Sequence, residues 1–238
     1  MNFIDLLVLA MLGIGFLIGY YKGFVNTVAN AASFVVAYLF ALIFHGSLAG
    51  AILDSTSFGD SLLYYTAGAE KLSDMTIANV DVATLSVDRI TEVITTSGLP
   101  KPIEAQMQYN IINQVFLNDG ITTMSDYFNQ TIINLTMSLI CFLLIYFVVR
   151  IIVLFGIGLA DKVWGLPILK QHDAIFGGCF GILHGAMIAF IIFSIVPIFM
   201  SVLPLDMIDG MIQESFLGRF FYNSNIICLL YTSPSPRD

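Results

Sequence analysis

His184 is the residue of this chain whose type and position most suggest chemistry. It stands ten residues into an apolar stretch that opens at Ala174, between Gly181 and Gly185. An imidazole gains and loses a proton near neutral pH, so at mid-bilayer depth it would suit a proton or ion pathway. The plainer reading is a neutral, hydrogen-bonded histidine among packed helices, since one histidine without a carboxylate at similar depth makes a weak relay. Arg150 is the one charge that interrupts a neighbouring apolar stretch, about 9 Å from its end at the helical rise and within snorkelling range. Asp173, immediately before Ala174, is a candidate partner for it, and a structural anchor is the preferred reading of both. Asp5 lies a turn inside the first apolar stretch, within reach of the interface, and Lys22 falls between the first and the second. Hydrolytic signatures such as GxSxG, HExxH or a Walker loop do not occur. Ser138, Ser194 and His184 would have to be assembled from separate segments to serve intramembrane proteolysis. No catalytic residue, cofactor or metal site is expected, and the chain is not read as an enzyme.

The elements that must position these residues are legible from the charge pattern. Leu6–Tyr21, Phe24–Phe44, Tyr127–Val149 and Ala174–Leu205 contain no Asp, Glu, Lys or Arg. A helix needs about 20 mostly apolar residues to cross the hydrocarbon core. The composition agrees: 58% of the residues are hydrophobic and 11% charged, against roughly 25% charged in a soluble domain. The expected fold is therefore all-α and polytopic, with four transmembrane helices. Residues 1–47 form a first helical hairpin turned at Gly19–Phe24, 48–126 an extracytoplasmic helical segment, 127–203 a second hairpin, and 204–227 a C-terminal segment. A leader peptide is not expected, although Ala29-Asn30-Ala31 mimics a cleavage site, because Lys22 follows the first apolar run instead of preceding it. The fourth span should end around Pro197. Residues 228–238 resemble the translation of a transposase-based sequencing adaptor, so the natural chain is expected to depart from this sequence near Ile227.

Within the middle segment, Ser86 is a fitting N-cap for a helix carrying Val87, Ile90, Val93 and Ile94 on one side, ended by Gly98-Leu99-Pro100. A second helix follows from Pro102 with Ile103, Met107, Ile111 and Ile112, and a third from Thr122 leads into the third span. Short amphipathic helices, lying on the membrane or packed together, account for this region, and a domain with a large core is not expected. Most of the carboxylates behind the net charge of −8 sit here, between Asp54 and Asp126. The nine Lys and Arg are scattered singly, which gives no nucleic-acid footprint. Cys141 and Cys179 lack CxxC or metal-ligand spacing. Lys22 in one short loop and Lys162 and Lys170 in the other, with Arg150 near the same face, put those loops in the cytoplasm and residues 48–126 outside.

Small residues recur at every fourth position: Gly15, Gly19 and Gly23; Ala29, Ser33, Ala37 and Ala41; Gly177, Gly181, Gly185 and Ala189. Such stripes let helix backbones approach in lipid. An intrachain four-helix bundle is the preferred reading, and a homo-oligomer seam is the alternative.

Two of these motifs together resemble the colicin V production family. The first is Asp5, then Gly15-x-x-x-Gly19-x-x-Lys22-Gly23-Phe24 ahead of a second span. The other is Asp173-x-x-x-Gly177-x-x-x-Gly181-x-x-x-Gly185 opening the last span. The resemblance covers about residues 1–200. It implies a multi-pass protein of the bacterial inner membrane, tied to export of a peptide toxin and to envelope maintenance. The resemblance gives no molecular mechanism; the preferred reading is a non-enzymatic accessory protein embedded in the lipid bilayer and acting by helix–helix contact with other membrane or secretion proteins. The rival expectation is a small transporter or channel subunit with a pathway through Arg150, Asp173 and His184. A lined cavity reaching mid-bilayer would favour the rival, and a dry, close-packed bundle the accessory role.

Overall fold

The computed structural model describes residues 2–72, 74–164, 173–202 and 206–223. Among them the backbone is helical nearly throughout, and the only β pairing is an isolated bridge between Asp81 and Thr123. Four helices are long and apolar enough to cross a membrane: α1 (Phe3–Lys22), α2 (Phe24–Ser55), α6 (Met124–Trp164) and α7 (Asp173–Val202). Between α2 and α6 lie α3 (Phe58–Thr66), α4 (Val87–Thr96) and α5 (Lys101–Ile112). After α7 come α8 (Asp206–Glu214) and α9 (Phe216–Asn223). The protein is an all-α polytopic membrane protein. The loop carrying Gly165-Leu166-Pro167 and Lys170, and the tail from residue 224 onward, lie outside the described residues.

The chain divides into two compact units. The first is built on Met1–His45, Cys141–Ser194 and Met207–Ile226, the second on Gly46–Ile140 and Ile195–Asp206. In the first unit, α1 begins with a reciprocal cap. The Asn2 side chain accepts from the Ile4 N–H at 2.6 Å, and the Asp5 carboxylate accepts from the Asn2 N–H at 2.9 Å. A single residue, Gly23, joins α1 to α2. Its φ of 78° is a left-handed value that side chains other than glycine adopt reluctantly, and its N–H closes the last turn of α1 by donating to Gly19 O at 3.0 Å. Along α2 the buried residues Ser33, Ala37, Ala41 and His45 repeat every four positions, so one narrow stripe faces the packed side.

In the second unit, Ser86 caps α4 by accepting from the Arg89 N–H at 3.3 Å, as its position predicts. Of the two arrangements expected for the middle segment, packed helices are what the structure shows, and their core is larger than the sequence suggests. Ile90, Val93, Ile94, Ile103, Met107 and Ile111 are buried together with Met124, Tyr127, Phe128 and Ile132 from the first turns of α6. The apolar start of α6 reads as membrane span in the sequence, which hides that it supplies four of these ten residues. The N–H groups at the head of α6 are met by a preceding stretch of backbone: Met124 N–H donates to Val80 O and Ser125 N–H to Ala78 O, which satisfies donors a helix leaves open. Asn110 donates to Thr131 Oγ1 at 3.1 Å across the buried face.

The fourth span does not stop at Pro197. α7 passes through that proline to Val202. The pyrrolidine removes one helical N–H, but in membrane helices such a gap is tolerated because neighbouring groups and local adjustment satisfy the freed carbonyl.

Candidate functional site

α1 and α7 meet backbone to backbone. A Cβ placed on Gly15 would touch Gly181 and, at 3.2 Å, the Cα of Gly185. One on Gly19 would touch Gly177 and, at 3.0 Å, the Cα of Gly181. One on Gly177 would lie 2.7 Å from the carbonyl carbon of Gly23. The register runs antiparallel, Gly15 with Gly181–Gly185, Gly19 with Gly177–Gly181 and Gly23 with Asp173. The two glycine series singled out in the sequence therefore face each other within one chain. Of the α2 series, Ser33 and Ala37 are fully buried and Ala29 half-buried.

Asp173 sits where α1, α2 and α7 converge. Its Oδ1 accepts from the Phe24 N–H at 2.9 Å, and its other oxygen lies against Gly23. A carboxylate at the N-terminal ends of both α2 and α7 is favoured by the exposed N–H groups and the dipole there. The candidate ion pair between Asp173 and Arg150 does not form. Among the described residues the only ion pairs are those of Arg89, with Asp74 and Glu92, both at 2.8 Å. The backbone N–H of Phe24 occupies Asp173, and Arg150 turns instead to its own helix and to α7.

Arg150 donates from Nη1 to the Tyr146 hydroxyl, one turn back on α6, and its Nη2 lies 3.4 Å from His184 Nε2. The guanidinium carbon also lies 5.7 Å from the Phe34 ring centre and 5.6 Å from that of Tyr146, within the range of cation–π attraction. Phe34 in turn stands edge-on to Tyr146 and to His184, at 5.5 and 5.7 Å. With Nε2 accepting from the guanidinium, the His184 proton rests on Nδ1. That atom is buried and has no hydrogen-bond partner. Sequence reasoning missed Tyr146 and Phe34. The i, i+4 spacing of Tyr146 and Arg150 was an available signal, whereas nothing in the sequence ties Phe34 to them.

Asp5 is held within the protein. It is 4% exposed and fastens the head of α9 to the head of α1. Its Oδ1 accepts from the Ser215 hydroxyl at 2.7 Å and from the Leu217 N–H at 2.9 Å. Ser215 caps α9 by accepting from the Gly218 N–H at 2.8 Å. Asn2 adds a bond to Met211 O, and Phe221 packs on Phe190 and Phe193 of α7.

A cleft of about 370 Å³ opens beside the glycine seam. Its polar wall is Lys22, Thr27, Asn30, Arg150 and His184. Its apolar wall is Met11, Ile14, Ile18 and Ile188, with Gly15, Gly19, Gly181 and Gly185 at the base. It extends from the end of α1 to the middle of both α1 and α7. Thr27 and Asn30 carried no signal in the sequence. Thr27 donates to Gly23 O at 2.7 Å and Asn30 to Asn26 O. Among the described residues no group of His, Cys, Asp and Glu is placed to hold a metal ion.

No curated protein and no solved structure matches the chain. The family model for the Colicin V production protein matches residues 4–79 and 118–225. The matched stretches carry Asp5, the Gly15–Gly23 series, Asp173 and the Gly177–Gly185 series, and leave out most of the segment containing α4 and α5. By that match the chain belongs to the Colicin V production protein family.

Proposed function

We propose that the chain is a non-enzymatic accessory protein of the bacterial cytoplasmic membrane that serves production or export of a toxin peptide and upkeep of the envelope. It works through helix contacts with other membrane or secretion proteins. Family membership supports the toxin connection. The observation that carries the mechanical part is the glycine seam, in which α1 and α7 touch through their backbones and make a rigid membrane-embedded scaffold. Ser194, the hydroxyl nearest His184 in the sequence, donates to Phe190 O of its own helix, which is a structural use. The loop at Lys22 faces the cytoplasm in this reading, and residues 48–126 face outward.

A deletion strain tests the reading. Cells lacking the chain should synthesise the toxin peptide but fail to release it. The wild-type chain should restore release and the Gly181→Ile variant should not. Unchanged release in the deletion strain would refute it. Orientation is checked separately by cysteine labelling from outside the cell: Lys22→Cys should stay protected and Asp119→Cys should react.

One observation favours a second reading, a small transporter or channel subunit: the cleft reaches mid-helix and collects Lys22, Arg150 and His184. Ion flux into proteoliposomes that disappears in R150Q would support it, and flux no greater than in empty liposomes would exclude it.

A further inference from the structure

The cleft has an imbalance that neither reading uses. Among the described residues, Arg150 and Lys22 both line it and no carboxylate does. Among the described residues neither cation has an ion-pair partner, since both ion pairs belong to Arg89. Asp173, which lies against Gly23, is engaged by the Phe24 N–H at the seam. A guanidinium has five N–H donors, and the contacts to Tyr146 and His184 leave others free. Cations left without a counter-charge in a membrane are costly, so the site favours an incoming anion.

The apolar wall narrows what that anion can be. Ile14 and Ile18 line the cleft and are 56% and 47% exposed, on a helix that is long and apolar enough to span the bilayer. A ligand filling the space must present a negative group at Lys22 and Arg150 and hydrocarbon along Ile14 and Ile18. We infer that the cleft binds an anionic phospholipid, its phosphodiester between Lys22 and Arg150 and an acyl chain along the α1 face. Basic pockets between transmembrane helices commonly hold anionic head groups, and the volume falls in the ordinary range for ligand sites. Thr27 and Asn30 stand on the same wall as further hydrogen-bonding groups. The inference goes beyond the accessory and transport readings and depends on neither.

Native mass spectrometry of the full chain in neutral detergent tests it, with phosphatidylglycerol or chain-matched phosphatidylcholine added. Phosphatidylglycerol should be retained at least about tenfold better, and K22Q and R150Q should each lower its retention about fivefold. R150K, which keeps the charge, should keep the preference. If R150Q does not fold, the exposed Lys22 position decides the matter alone through K22Q. Equal retention of the two lipids by the wild-type chain, or a preference undiminished in K22Q, would overturn the inference. A thermal shift with inorganic phosphate as large as that with phosphatidylglycerol would also overturn it, because the anion would then be a soluble one.

Discussion

In the first unit α1 and α7 meet through Gly15, Gly19, Gly177 and Gly181, while the large residues Leu6, Ile14 and Leu17 of α1 point outward. In the second unit α4 and α5 meet through Ile90, Ile94, Ile103 and Met107, all buried, with charged residues such as Arg89 and Glu92 outside. The same chain thus uses large residues in opposite ways. Lipid solvates leucine as well as a protein core does, so helices in a bilayer gain from close backbone approach and not from hiding apolar area. Outside the spans, each buried aliphatic side chain contributes about 1.5–3 kcal/mol and large residues move inward.

That contrast can be broken at either end. Gly181→Ile should have the largest effect. Its Cβ meets Gly15 and Gly19 backbone, which cannot retreat as a side chain would, so the cost should reach or pass the roughly 3 kcal/mol upper end of overpacking. The readout is loss of monodisperse protein in detergent. His184→Ala, on the same helix, should stay folded, and the reverse outcome would show that the seam is not what holds this unit. Met107→Ala, fully buried in the second unit, should cost about 3 kcal/mol in a thermal or denaturant melt. A glycine-like tolerance there would erase the distinction between the units. Asp5→Ala removes the acceptor for the Ser215 hydroxyl and the Leu217 N–H and should cost about 2 kcal/mol. Its signature is protease sensitivity near residue 215, and Asp5→Asn should recover part of the loss.

The smallest effect sharpens the comparison through pH. Asp74 accepts from the Thr76 hydroxyl and N–H and pairs with Arg89. The Thr76 bonds first, then the guanidinium, hold its carboxyl below its ordinary value of 3.8. A depressed folded-state pKa adds stability that is fully present above that value and is lost as pH falls through the folded one. Thermal midpoints of the second unit should therefore decline slightly in acid, and Thr76→Val should flatten the decline. An identical decline in that variant would reassign it to other carboxylates.

The four spans, the Ser86 cap and both glycine series were legible because each depends on local pattern: apolar length, cap chemistry and a four-residue repeat. The Asp5–Ser215 clamp was not, because its partners are 210 residues apart and each looks like an ordinary cap alone. Arg150 was matched with the wrong partner for a related reason. Charge predicts Asp173, but the sequence does not reveal that the Phe24 N–H reaches that carboxylate first. The core of the second unit was underestimated because Met124, Tyr127 and Phe128 sit in a run that satisfies the length rule for a membrane span. Composition cannot separate hydrocarbon that faces lipid from hydrocarbon that faces α4 and α5.

The carboxylate that completes the Gly23 turn arrives late in synthesis. Asp173 and Phe24 are 149 residues apart, which at about 5–20 residues per second is roughly 7–30 s of translation. Through that interval the N-terminal helix pair waits in the bilayer with its glycine edge bare and the first N–H groups of α2 unanswered. A nascent chain stalled before residue 173 is thus an unfinished seam, open to pairing with another copy of itself or to quality control.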